Sequence, residues 1–177
     1  MKPFHKRTFR GPGQFLAEGG YLLRRAWAVA RLLRGNGLES GLRERLFLAV
    51  TQVNQCRTCA WAHTRIALGE GVAADEVRAL LRRDLEATPE AEREAVLYAQ
   101  HWADTDGRPD AEAVSRLAIR YDADTLDRIH LALRFIRFSN YLGNLTEHLV
   151  FRITFGRLGD AGGGPKAPGG AAPDELP

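Results

Sequence analysis

Only two cysteines occur in this chain, Cys56 and Cys59, and His63 follows them in the stretch QVNQCRTCAWAHTRIAL. On a helix, residues three or four positions apart share a face, so the two thiols and the imidazole fall on one stripe. Cysteines at i and i+3 of a first turn reach the Cα separation that a disulfide needs, roughly 4.4 to 6.8 Å, so reversible oxidation is geometrically open to them. The free N–H groups of that turn favour thiolate over thiol, and the thiolate is the reactive form. His63, one turn beyond Cys59, can take the proton of that thiol directly or through a water, which gives a nucleophile and a base. A base needs a third group to fix its tautomer. Glu44 is the only carboxylate between Ser40 and His63, and an antiparallel hairpin of the two helices would bring it to the imidazole.

The elements that must hold these groups read as helices, because apolar residues recur at three and four and no run alternates. One helix is expected from Gln14 to Arg34, closed by the GNG of Gly35 to Gly37. Ser40 is expected to cap a second, with Leu42, Leu46, Ala49, Val50 and Val53 as its apolar face. Asn54 breaks the chain before a cysteine helix running to Leu68. Further helices are expected from Ala74 to Leu85, from Thr88 and Pro89 to about Ala103, and from Asp110 to Tyr121. A final apolar series, Leu126, Ile129, Leu133, Ile136, Tyr141, Leu145 and Leu149, makes one long helix or two abutting ones, with Ser139 to Asn144 as the place for a split. Within it FIRFSNYLGN carries two asparagines and a tyrosine at helical spacing, a polar seam or a line of helix-helix hydrogen bonds.

The expected organisation is therefore a basic flexible arm over residues 1–13, a helical domain over 14–158 and a disordered Gly/Pro/Ala-rich tail over 159–177. The tail has too few large apolar residues to offset the entropy of ordering it. With 177 residues, 45% of them hydrophobic, the chain suits one globular unit. A net charge of +3 arises from 25 basic and 22 acidic residues spread along the sequence, a mildly basic protein rather than a polybasic one. Arg24, Arg25, Arg31 and Arg34 lack the aromatic interleaving of a nucleic-acid reader, so a solvated helix face is the better account and no nucleic-acid partner is expected. The apolar window AWAVARLL is far short of the roughly 20 residues that span a bilayer, and no signal-peptide pattern follows the basic start. A cytoplasmic protein with no membrane partner is the expectation.

Glu44, then CxxCxxxH twelve residues on, resembles the pattern of the alkylhydroperoxidase D and carboxymuconolactone decarboxylase superfamily, and the approach LAVTQVNQC is similar too. The resemblance is most specific over Glu44 to Leu68 and extends through helix order over about Gly20 to Gly156. It implies an all-α, alkylhydroperoxidase D-like bundle of helical hairpins assembled as a homotrimer or higher homo-oligomer. It also implies a thiol-dependent peroxidase of antioxidant role acting on hydrogen peroxide or organic hydroperoxides. In that reading Cys59 attacks the hydroperoxide, Cys56 resolves the resulting sulfenic acid to a disulfide, and His63 deprotonates Cys59 with help from Glu44. No cofactor is implied. An external dithiol, or a lipoyl-type protein reductant, restores the thiols. One departure stands out: the best-known peroxidase member has a second histidine directly before its attacking cysteine, where this chain has Thr58, whose hydroxyl passes a hydrogen bond but is no base. Decarboxylase members lack the cysteine pair, so its presence argues against that chemistry.

Three alternatives remain at this level. The couple could serve a thiol-disulfide oxidoreductase or a non-catalytic redox sensor. It could also supply half of a zinc site, which would need further ligands such as His101, His130 or His148.

Overall fold

The computed structural model describes Phe4 and Lys6–Phe155. It is all-helical, with eight helices and no strand among the described residues. The order is α1 (Pro12–Arg24), α2 (Ala26–Leu33), α3 (Ser40–Asn54), α4 (Arg57–Gly69), α5 (Ala74–Leu81), α6 (Glu90–Asp104), α7 (Ala111–Arg120) and α8 (Ala123–Ile153).

Helix α3 is the hub, packed against α4, α5, α6 and α8. Its apolar face was expected to be a stripe, yet Leu46, Phe47, Leu48, Ala49 and Val50 are all fully buried in succession. A helix surrounded on all sides buries its whole circumference. Glu39, not Ser40, caps it: the Glu39 carboxylate accepts from Leu42 N at 2.6 Å and Gly41 N at 3.0 Å. Those bonds, Leu42's first, hold the Glu39 carboxyl below its ordinary range.

The expected first helix is two. At Arg25 the backbone N–H turns back to Leu22 O, and the guanidinium reaches sideways to both carboxylate oxygens of Asp127 and to Tyr21 Oη. A long-range ion pair decides this break. Helix α2 then ends as expected, Gly35 taking φ +79 while Asn36 N–H reaches Arg31 O at 2.9 Å. Helix α5 stops at Leu81 rather than Leu85, the chain turning through Arg83 at φ +64.

Helix α8 is single, 31 residues, with Asp122 accepting from Thr125 N. The asparagines that might have split it are turned inward. Asn140 Nδ2 donates to Thr51 Oγ1, Asn54 Nδ2 donates to Asn140 Oδ1, both at 3.1 Å, and Asn144 Nδ2 donates to Asn54 O at 2.8 Å. Their amides bind α3 instead of competing for the backbone of α8. The polar seam is thus a line of helix-helix hydrogen bonds within one chain.

The described part of the N-terminal arm packs against the helices. Lys6, 5% exposed, donates to Glu147 on α8; Asn144 Nδ2 donates to Arg7 O; and Phe9 sits against Phe15, Phe138 and Tyr141. The segment packs onto α8 because its lysine and aromatic residues find partners there. Residues 1–3, His5 and the tail expected over 159–177 lie outside the described residues.

One histidine gives the fold a pH signature. Tyr98 Oη and His130 Nε2 are 2.7 Å apart between α6 and α8. Burial pushes the Tyr98 hydroxyl up to about 12, so it remains a donor. Burial first, then the Arg134 charge, holds His130 below its ordinary value. Unfolding therefore takes up a proton at mildly acid pH, and the contribution of neutral His130 is complete above about 6.5 and lost as pH falls below it. Urea midpoints measured from pH 7.5 down to 5.5 should fall in the wild type. In His130→Phe that slope should flatten; an identical slope would remove His130 from the account.

Candidate redox-active site

Helix α3 ends at Gln55, whose φ of 58 lies in the left-handed region, and Cys56 follows as the cap of α4. Its sulfur accepts from Cys59 N at 3.4 Å, and the two cysteines are joined as a disulfide with Cα atoms 5.3 Å apart. The expected first-turn placement holds for Cys59; Cys56 is one step outside, at the cap. Their surroundings differ: Cys56 is 1% exposed, whereas Cys59 is partly exposed.

His63 lies on α4 one turn beyond Cys59. Its Nδ1 is 2.8 Å from Glu44 Oε2 across the α3–α4 hairpin, and the Phe47 ring meets the imidazole edge-on at 4.9 Å. Glu44 is fully buried, and its other oxygen accepts from Arg43 Nε at 2.9 Å. A carboxylate there accepts the Nδ1 proton and leaves Nε2 as the nitrogen with a free lone pair. The structure thus pairs His63 with Glu44 across the hairpin and Cys56 with Cys59 at the start of α4.

The partly exposed cysteine opens on a groove of about 790 Å³ between the first turns of α4 and the C-terminal half of α8. Thr58, Cys59 and Trp61 line one side, Leu142, Gly143 and Val150 the other, and most of its surface is apolar. Thr58 is exposed and lines the groove, where its hydroxyl can pass a hydrogen bond but is no base.

Gly143 and Arg43 belong to the site and were not singled out from sequence. A Cβ on Gly143 would stand 2.9 Å from Cys56 Sγ and 3.7 Å from Cys59 Sγ, so α8 approaches the sulfurs as closely as it does because no side chain intervenes. The available signal was a glycine inside a helical run, which costs roughly 1 kcal/mol against alanine and so asks for a reason. Gly143→Ala should crowd the disulfide by the 1–3 kcal/mol typical of overpacking, while the free thiols can turn apart. Equilibration with dithiothreitol should therefore shift about tenfold toward the dithiol. Gly69→Ala, where a Cβ meets nothing within 4 Å, should leave the equilibrium alone. Equal behaviour of the two variants would show that α8 does not constrain the pair.

Among the described residues no group of three or more His, Cys, Asp or Glu side chains is placed to hold a metal ion, and no helix is long and apolar enough to cross a membrane. His130 is engaged with Tyr98, and His148 is stacked on Phe4.

No curated protein and no solved structure matches the chain. Residues 20–101 match the family model described as Carboxymuconolactone decarboxylase family, a span that holds Glu44, both cysteines and His63. Over residues 20–101, a little under half of its length, the chain is thus similar to the carboxymuconolactone decarboxylase family, and its all-helical fold and paired cysteines accompany that similarity.

Proposed function

We propose that this protein is a thiol-dependent peroxidase that reduces hydrogen peroxide or organic hydroperoxides through a Cys59–Cys56 disulfide cycle. The observation that carries the reading is the asymmetry of the pair: Cys59 lines an open groove and Cys56 is buried, while His63, one helical turn beyond Cys59, is held by Glu44. In the first step His63 Nε2 takes the Cys59 proton, and the thiolate attacks one peroxide oxygen. The S–O bond forms as O–O breaks, and the departing alkoxide leaves as the alcohol with the proton from His63. The sulfenic acid on Cys59 is then attacked by the Cys56 thiol; S–S forms, S–O breaks and water leaves. Two thiol-disulfide exchanges with an external dithiol return both cysteines to thiols and oxidise that dithiol. The disulfide in the structure corresponds to the stage between resolution and reduction.

A dithiol or lipoyl-type protein fits the last step, since a small dithiol head can reach the partly exposed Cys59 sulfur. Assembly as a homotrimer or higher oligomer is part of the same reading, supported by Leu23, Trp27 and Ile153, each more than two-thirds exposed. A thiol-disulfide oxidoreductase is the second reading, favoured by Thr58, which adds no base for peroxide chemistry. Hydroperoxide consumption under excess dithiothreitol separates them. The peroxidase turns over many equivalents of hydroperoxide per protein at a rate proportional to protein; consumption no faster than that of dithiothreitol alone, with ready disulfide exchange, selects the oxidoreductase.

A further inference from the structure

The buried Arg43 belongs to none of the steps above, yet it is fastened from three sides. It is 4% exposed; its Nε donates to Glu44 Oε1 at 2.9 Å, its NH1 donates to Leu32 O at 3.1 Å, and its NH2 lies 3.8 Å from Glu70 Oε1. Leu32 is in the last turn of α2, whose outward carbonyls favour a cation, and Glu70 is the cap at the end of α4. One guanidinium therefore ties together the ends of the two helices that flank α3, and its remaining arm grips the carboxylate that meets His63.

We infer that Arg43 is a positioning residue of the redox site, fixing Glu44 as an oriented carboxylate so that the neutral His63 carries its proton on Nδ1 and presents Nε2 to Cys59. This rests on the peroxidase reading for its kinetic consequence, though not for its structural one. The charged groups around the imidazole make the case. Glu44 is fully buried, has both oxygens occupied, one by Arg43 and one by His63, and Glu70 is the other acid within reach of Arg43. A buried carboxylate stripped of its cation takes up a proton or draws one onto its neighbour. If Glu44 takes it, the carboxyl can donate to Nδ1 and push the imidazole proton to Nε2. If His63 takes it, the ring becomes imidazolium. Either way the free lone pair at Nε2 disappears, and with it the base. The shape of the site adds a second requirement: only a planar fork can hold Glu44 through Nε while an outer nitrogen reaches Leu32 O, so a lysine replaces the charge but not both bonds.

The test uses the full chain with Arg43→Met, Arg43→Lys, Glu44→Gln and the Arg43→Met/Glu44→Gln pair. Two readouts are taken: the tautomer of His63 from long-range ¹⁵N–¹H NMR of the reduced protein, and the rate of Cys59 oxidation by a stoichiometric organic hydroperoxide. Wild type should show His63 as the Nδ1–H form. Arg43→Met should lose that form and slow oxidation about tenfold or more, out of the 10²- to 10⁴-fold that a general base supplies. Arg43→Lys should recover part of both. In the Glu44→Gln background, removal of Arg43 should add less than about twofold, because two residues acting through one contact are not additive. An unchanged tautomer in Arg43→Met, or an equal loss with and without Glu44, overturns the inference. Should Arg43→Met fail to fold, Arg43→Lys decides alone: a wild-type tautomer and rate there overturn it, and a partial loss supports it. If the wild type itself is oxidised no faster than a free thiol, the peroxidase reading falls, and the tautomer still decides the role of Arg43.

Discussion

Cys59→Ser is expected to abolish oxidation by hydroperoxide, whereas Cys56→Ser is expected to retain the first step and stop there. The difference follows from where the sulfurs are. Cys59 faces the groove, so an incoming peroxide meets its sulfur first; Cys56 is 1% exposed, capped beneath α8 and its Gly143. Without Cys59, the remaining thiol is buried and has no open path to substrate. Without Cys56, the sulfenic acid on Cys59 has no neighbouring thiol and persists long enough for a dimedone-type reagent to capture it. The check is mass spectrometry of each variant after one equivalent of hydroperoxide. Trapping of Cys56 in Cys59→Ser at wild-type speed would reverse the two roles.

The second large effect belongs to His63. His63→Gln should slow oxidation by roughly 30- to 100-fold near pH 7, because an unassisted thiol is only a few per cent thiolate there, and a general base is worth about 10²-fold or more. Glutamine keeps a donor near Glu44 Oε2 and so limits damage to the hairpin, but it cannot accept a proton. The variant's rate should then climb with pH toward about 8.5, where a free cysteine ionises unaided. Stopped-flow oxidation rates of both proteins between pH 6 and 9 measure this. Equal rates throughout would mean that the proton of Cys59 leaves by another route.

The Cys56–Cys59 pair and the Glu44–His63 contact were legible in the sequence because both relations are local: one spans a single turn at the start of a helix, and the other crosses a short hairpin. The all-helical class and the end of α2 at Gly35 were legible for the same reason, being set by periodicity and by a residue that accepts positive φ. What escaped is set by contacts between distant segments. The break at Arg25 depends on Asp127, and the continuity of α8 depends on Asn140 and Asn144 finding Thr51 and Asn54. The packing of Lys6 depends on Glu147, more than a hundred residues away. Gly143 and Arg43 escaped in the same sense. A glycine in a helix and an arginine next to a glutamate are ordinary until the fold places one against a disulfide and the other between three helices.

These long-range contacts also explain how the site is organised. The seam of asparagines and Thr51 locks α8 to α3, and that lock fixes the height at which Gly143 passes the disulfide. Arg43, Glu44 and His63 form a chain of contacts across the α3–α4 hairpin. The cysteine turn is thus packed under α8 at Gly143, with Cys59 as its more exposed sulfur residue.

The most direct test is intact mass against time after one equivalent of an organic hydroperoxide is added to the fully reduced wild-type protein. The account predicts loss of two hydrogens per chain, complete within the time a free thiol would need to react only slightly, with the product mapped to a Cys56–Cys59 disulfide. Oxidation no faster than that of a free cysteine would contradict it, and would show that this fold and its cysteine pair serve a reaction other than peroxide reduction.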